Sequence, residues 1–400
     1  MIEDTTRMGL GEPGELRVFG GKRVDPAAHP YLAVIIKPTY DCNLACEYCS
    51  VYGCELEPRM SRETVDILMD RVTEFCGTER TIFLIWHGGE PLLLPPEFYD
   101  YIGRRTRQYT GHCILNSVQT NATLLDQRYL EVFLKYGFDI SISLDGPEAL
   151  HDAGRKDPAG NGTFRTVMNA VSLLQSKGLP VGGVAVLTRK MIGRMREIYD
   201  FFNGQGIHLR INPVQKQGRA DASYEQLSIT PRQYGEQMTE LFNTWYFDPA
   251  TRIVIDPFRV IIGNIVHPVP DCCDFRRECH AEIISVGPRG EVYPCGQFNG
   301  FEEYYFGNIH RDTFADMMSG PAAQALLTRV PENLPQCSGC EFHEICNCGC
   351  TVSALINRGR IMDPDFYCEG RKMLFAHILK TLENDFLKAG KSRAPVPQTV

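Results

Sequence analysis

From Tyr31 to Val214, short apolar runs alternate with stretches whose apolar residues recur every three or four positions. The runs Leu32–Lys37, Thr81–Trp86, Cys113–Gln119, Asp139–Leu144, Gly182–Leu187 and His208–Asn212 have the length and composition of buried strands. Between them, Thr64–Phe75 (inside a longer stretch from Ser61 to Cys76), Asp126–Tyr136, Phe164–Lys177 and Met191–Phe202 carry a helical period. Strands that alternate with helices pair in parallel through right-handed crossovers. Six units fall short of the eight that close a full barrel, so the pattern predicts an α/β fold, a partial (β/α)6 TIM-like barrel over 31–215. In such sheets the chemistry sits in the loops after the strands' C-terminal ends.

After Gln215 the pattern changes. Residues 217–228 are polar and read as a loop, and a helix over Arg232–Tyr246 opens with the N-cap and N1 pair Thr230-Pro231. A bridging region, 216–270, ends in a connecting segment from Pro257 to Pro270 and leads into a cysteine-rich region, 271–390. That region is poor in long helices until a last one over Arg371–Lys388, as expected of a part held by metal ligation. Residues 1–30 form an N-terminal extension too short for an independent domain, and the tail 391–400 is expected to be disordered.

Composition narrows the function classes. With 43% hydrophobic and 22% charged residues the chain reads as a globular enzyme, and a net charge of −8 without a basic block argues against nucleic acid. No apolar stretch approaches the roughly 18 residues that span a bilayer, so no membrane is expected. The acidic start, Met1 to Arg7, lacks the apolar core of a secretory signal, which predicts a cytoplasmic protein.

Sixteen cysteines require an explanation. Three form Cys42-x3-Cys46-x2-Cys49, in the loop after the first predicted strand. Seven more read Cys279, ten residues, Gly290, four residues, Cys295, then Cys337-x2-Cys340-x5-Cys346-x3-Cys350, then Cys368. A disulfide framework belongs to small secreted domains. Structural zinc suits Cys337, Cys340, Cys346 and Cys350 taken alone, but it accounts poorly for a trio. Three thiolates leave one position open, which a reactive iron–sulfur cluster uses and a structural zinc site avoids. Cys54, Cys76 and Cys113 read as buried small hydrophobes, and Cys348 lies off the pattern.

The trio, with Tyr48 before its last cysteine, resembles the signature of the radical SAM superfamily, and the later seven resemble its C-terminal SPASM domain. The resemblance spans about residues 31–370 and implies S-adenosyl-L-methionine and three [4Fe–4S] clusters. Cys42, Cys46 and Cys49 would hold the first cluster. Cys273, Cys279, Cys295 and Cys350 would hold the second, with Cys273 preferred to Cys272 for its six-residue offset to Cys279. Cys337, Cys340, Cys346 and Cys368 would hold the third. His87-Gly88-Gly89-Glu90-Pro91 resembles the motif that meets the cofactor's amino group, although a Gly pair also marks ordinary turns. By the same resemblance Ser143 and Arg155 engage the cofactor carboxylate and Leu187 offers backbone to the adenine. Asp145 reads equally as a cofactor contact or a turn cap, and Thr120 and Asn121 as cavity lining or a turn. Arg210, Asn212 and Gln215, ending the sixth strand, are the substrate-facing candidates.

The family acts mostly on peptides and proteins. Sulfatase-maturing members, which make formylglycine from cysteine or serine, share Ser143-Leu144-Asp145-Gly146-Pro147. They carry an aspartate after the cysteine matching Cys295, where this chain has Gly296. The departure favours a maturase that oxidises or crosslinks an unactivated side chain of a ribosomally made peptide. The alternatives are an anaerobic sulfatase maturase or a radical oxidase of a small molecule. The reading calls for a reducing partner such as flavodoxin or ferredoxin, and leaves leader recognition to the barrel, the bridge or a separate protein.

Overall fold

A computed structural model describes residues 17–19, 22–24, 30–51, 59–266, 273–277 and 279–391. An antiparallel pair, β1 (Arg17–Phe19) and β2 (Lys22–Val24), precedes the main sheet. The six expected strands follow as β3 (Tyr31–Ile36), β4 (Thr81–Trp86), β5 (Ile114–Thr120), β6 (Asp139–Ser143), β7 (Gly182–Leu187) and β8 (His208–Pro213). Each pairs in parallel with the next. Helices α1 (Arg62–Cys76), α2 (Pro96–Thr106), α3 (Gln127–Tyr136), α4 (Glu148–Gly154), α5 (Phe164–Gln175) and α6 (Met195–Gln205) fill the crossovers. The partial α/β barrel of the sequence reading is present.

Local chemistry explains the boundaries. Ser61 caps α1 by accepting from Thr64 N, and Asp126 caps α3 by accepting from the amides of Arg128 and Tyr129. Asp126 therefore stands before its helix, which begins one residue later than the expected range. The helix expected from Met191 begins only at Met195, because Arg189–Met191 forms a 3₁₀ turn and Gly193 takes a φ of 73°. β3 and β4 are apolar almost throughout because helices cover one face and the barrel interior lines the other. An edge-to-face aromatic group, Trp86, Phe98, Tyr99 and Phe133, locks α2 and α3 onto β4.

The sheet is larger than the hydrophobic pattern showed. β9 (Ile255–Asp256) extends it beside β8, and β10 (Ile283–Val286) pairs in parallel with β3, Ile283 opposite Ala33. β11 (Glu291–Tyr293) and β12 (Gly307–Asn308) add antiparallel strands outside β10. The order of the ten-stranded sheet is β12-β11-β10-β3-β4-β5-β6-β7-β8-β9. The cysteine-rich region thus continues the barrel sheet and covers the edge of β3.

Three other segments differ from expectation. Residues 217–228 are a 3₁₀ turn, Gly218–Ser223, and one helical turn, Tyr224–Leu227, not an open loop. The connecting segment contains a helix, Phe258–Val266. The last helix starts at Cys368, three residues before Arg371, and runs to Lys391. The Thr230-Pro231 start forms as expected, with a reciprocal cap between Thr230 and Gln233. That helix packs on the last one, where a Cβ on Gly370 would fall 2.0 Å from Pro231 O. Cys54, Cys272, residues 1–16 and 392–400 lie outside the described residues. Among the described residues no helix is long and apolar enough to cross a membrane.

Candidate cluster and cofactor site

Cys42, Cys46 and Cys49 occupy the loop that leaves the C-terminal end of β3. Neighbouring elements pin its backbone: Ala45 N donates to Lys156 O at 2.7 Å, Glu47 N to Gly154 O at 3.2 Å, and Arg219 N to Cys49 O at 2.9 Å. Gly218, at a φ of 62°, brings the bridge so close that a Cβ would lie 2.7 Å from Cys49 O. The sulfurs stay as free thiols, with Asn121 Nδ2 3.8 Å from Cys42 Sγ. Cys42 keeps an exposed surface, but desolvation by the surrounding loops pushes its thiol up to about 12, with the charges of Glu90, Cys46 and Cys49 adding to it.

The His87–Pro91 stretch works first on this loop. A Cβ on Gly89 would lie 2.1 Å from Asp41 O, and one on Gly88 2.4 Å from Thr39 O. Glycine is needed so that Gly89 N and Glu90 N can bond Thr39 O and Asp41 O at 3.0 and 2.8 Å. Glu90 is fully buried and accepts from Thr120 Oγ1 at 2.6 Å, Asn121 N at 2.7 Å and Leu92 N at 2.9 Å. Burial raises its carboxyl to about 7 against those three donors. Glu90 therefore ties β4 to the end of β5, which is what occupies Thr120 and Asn121.

A second buried latch joins Tyr48, Asp145 and Arg155. Tyr48 OH donates to Asp145 Oδ2, Arg155 grips both carboxylate oxygens at 3.0 Å, and Val186 N adds a third donor at 3.0 Å. The Asp145 carboxylate is therefore taken up by donors from three neighbouring segments. Its carboxylate fixes Tyr48 beside the trio and occupies Nε and Nη2 of Arg155. Gly154 leaves room for the Tyr48 ring, 2.4 Å from where its Cβ would be. Ser143 Oγ accepts from Gln119 Nε2 at 3.3 Å, and Leu187 O already accepts from Val214 N at 3.1 Å.

Of the substrate-facing candidates, Arg210 Nε reaches Asn212 Oδ1 at 3.3 Å, and its charge also acts on Asp274 of the cysteine-rich region. Gln215 Oε1 is buried and unpartnered. Sequence reasoning missed Lys37, which ends β3 and donates Nζ to Gly296 O. Burial pulls its pKa down to about 8, against the charges of Cys295 and Cys49. Its signal was a lysine closing an apolar strand just before the trio. Gln217, missed as loop, is buried and donates to Gln297 O at 2.8 Å, with both side-chain carbonyls unpartnered.

The later thiols fall into two groups. Burial pushes Cys279 up to about 12 and Cys295 adds to the effect, while Cys350 feels Asp274, Asp365 and then Cys295. Asp274 accepts from Cys273 Sγ at 3.6 Å. In the second group burial dominates the raised pKa of Cys346 and Cys368, and each also feels Cys337. Cys340 acts on Cys368. Cys348 packs against Cys337 and Leu334 in a left-handed turn at a φ of 71°. Cys76 is buried, whereas Cys113 is half-buried beside Phe83 and Leu115.

Residues 36–202 match the profile of the Radical SAM superfamily, and residues 273–341 that of SPASM, an iron–sulfur cluster-binding domain. The chain belongs to the radical SAM superfamily, carries a C-terminal SPASM domain, and is an enzyme of oxidoreductase type. It is 29% identical to the serine-type anaerobic sulfatase-maturating enzyme of Bacteroides thetaiotaomicron, over 94% of this chain and 95% of that one. The cysteine-type enzyme of Clostridium perfringens is 26% identical, over 89% and 98%. Native anSMEcpe with bound AdoMet and Kp18Cys peptide superposes with a TM-score of 0.80 at 25% identity, over 89% of this chain and 99% of that one. Streptococcus suis SuiB bound to precursor peptide SuiA shares the fold, with a TM-score of 0.59 at 15% identity, over 84% of this chain and 75% of that one. The family implies iron–sulfur clusters and S-adenosylmethionine, and the residues fit them: every described cysteine is a free thiol, and the donor groups are all sulfur.

Proposed function

We propose that the protein oxidises a side chain of a peptide or protein substrate, removing a hydrogen atom and then an electron and a proton from a carbon that bears a heteroatom. The full-length superposition on a peptide-bound sulfatase-maturating relative carries this reading. Cys42, Cys46 and Cys49 would hold the cluster that binds S-adenosylmethionine, with Gly88, Gly89, Glu90, Ser143, Asp145, Arg155 and Leu187 shaping the cofactor's side of the cavity. Cys273, Cys279, Cys295 and Cys350 would hold one auxiliary cluster, and Cys337, Cys340, Cys346 and Cys368 the other. When bound, these groups supply the 5′-deoxyadenosyl radical that takes the hydrogen and the acceptor for the remaining electron.

This chain's own residues shape the rest. Lys37 places a buried cation beside Gly296, next to Cys295, and neighbouring backbone pins the loop that carries the trio. One observation favours a second product. Gly296 presents no acid at the position where sulfatase-maturing enzymes carry an aspartate; a Cβ there would meet Ile35 at 3.2 Å and Lys37 at 3.4 Å. A crosslink or dehydrogenation in a ribosomally made peptide fits that lack of a base.

Anaerobic assay of the reconstituted enzyme with reductant, S-adenosylmethionine and peptides carrying a sulfatase-type serine or cysteine separates the two. An aldehyde-reactive product identifies formylglycine. Loss of two hydrogens without aldehyde reactivity identifies the second reading. Steady release of 5′-deoxyadenosine with every peptide left unmodified sinks the peptide reading. About twelve iron atoms per chain are expected for three four-iron clusters.

A further inference from the structure

A buried ion network runs between the two groups of later thiols. Arg371 is 3% exposed; its Nη2 donates to Asp274 Oδ2 at 2.9 Å and lies 3.2 Å from Asp365 Oδ2. Asp274 accepts from Cys273 Sγ, and Asp365 Oδ2 accepts from Cys350 N at 2.8 Å. Asp365 thus holds the backbone of one ligand proposed for the first auxiliary cluster, and Asp274 adjoins another, Cys273. The same guanidinium leaves Nε and Nη1 buried with no hydrogen-bond partner. Native interiors rarely leave such donors unmade, so these two nitrogens call for an acceptor that no neighbouring side chain or carbonyl supplies.

Placement says which acceptor. Arg371 lies three residues after Cys368 on the last helix, so the two share a face. Cys346 lies within reach of its charge. The next residue, Lys372, bonds Cys340, and the Phe275 ring lies 5.0 Å from the guanidinium. Three of the four proposed ligands of the second auxiliary cluster therefore surround this turn of helix.

We propose that Arg371 is a positioning residue for that cluster: Nε and Nη1 donate to its sulfur atoms, while Nη2 ties it, through Asp274 and Asp365, to the ligands of the other. The inference rests on the two auxiliary clusters proposed above. Hydrogen-bond donors at the sulfurs stabilise an added electron, so these two nitrogens would raise the potential of this cluster.

The test uses the full-length, reconstituted protein made with arginine labelled by nitrogen-15 in its guanidinium. Pulsed electron paramagnetic resonance of the reduced protein should show nitrogen-15 coupling on one auxiliary signal. Arg371→Lys should abolish that coupling and lower that cluster's midpoint potential, leaving the S-adenosylmethionine-sensitive signal unmoved. Arg329, the other buried arginine nearby, spends its nitrogens on the carbonyls of Ile361, Gly349, Cys348 and Asp363. Coupling that survives Arg371→Lys, or wild-type protein with both auxiliary signals and no coupling, overturns the proposal. The wild-type spectrum decides even if the variant does not fold. Iron sufficient for one cluster only, with no auxiliary signal, would overturn the cluster reading itself and this inference with it.

Discussion

His151 shows how a residue near a motif can serve the fold. It lies buried on α4, with Nε2 3.1 Å from Thr163 Oγ1 and Nδ1 facing Asp145 N. Burial depresses its pKa from about 6.5 to about 4, against the pull of Asp145. Between those values the unfolded chain binds a proton that the folded chain refuses, so stability falls as pH drops below about 6.5. From pH 6.5 to 5 the loss attributable to this group is on the order of 2 kcal/mol. Denaturant melts of the wild type and His151→Gln at both pH values check it; an equal loss in both would exclude the assignment. Asp145 teaches a related point. Its place in Ser-Leu-Asp-Gly-Pro was legible, but which donors took its carboxylate was not, because Tyr48, Arg155 and Val186 come from three separate loops and strands.

At the scale of elements, the strand and helix order was legible because burial on both faces leaves continuous apolar runs and surface helices leave a 3.6-residue stripe. The Thr230-Pro231 helix start was legible, whereas the Asp126 cap was hidden inside the helical pattern that included it. Two-residue strands such as β9 and β12 left no period to read. The Gly88-Gly89 turn is where local sequence and the site meet. Alanine at Gly89 would drive its Cβ into Asp41 O, a backbone atom that cannot rotate away. Gly89→Ala should therefore displace the loop carrying Cys42 and weaken S-adenosylmethionine binding at least tenfold, about 1.4 kcal/mol, with the helical circular dichroism kept. Equilibrium dialysis of the reconstituted variant measures this; unchanged affinity would show that the close approach has no bearing on the site.

For the whole molecule, the decisive feature is that β10 continues the barrel sheet. Ser285 pairs with Ile35 on one side and Tyr293 on the other, and its hydroxyl bonds Asn299. Ser285→Pro removes a ladder donor from a central strand, a loss on the order of 3 kcal/mol. Urea unfolding followed by tryptophan emission (Trp86 and Trp245, outside the cysteine-rich region) and by cluster absorbance should shift together to lower urea. A shift in absorbance alone would mean that the two regions unfold separately. The sequence by itself determined the order of strands and helices and the spacing of the thiols, since both follow from near neighbours along the chain. Only the tertiary structure decided that Lys37 donates to Gly296 O, that Glu90 and Asp145 are taken up by donors from neighbouring loops and strands, and that Arg371 is buried beside Asp274 and Asp365. Those relations join residues far apart in sequence, and burial acts on them only once the sheet has brought them together.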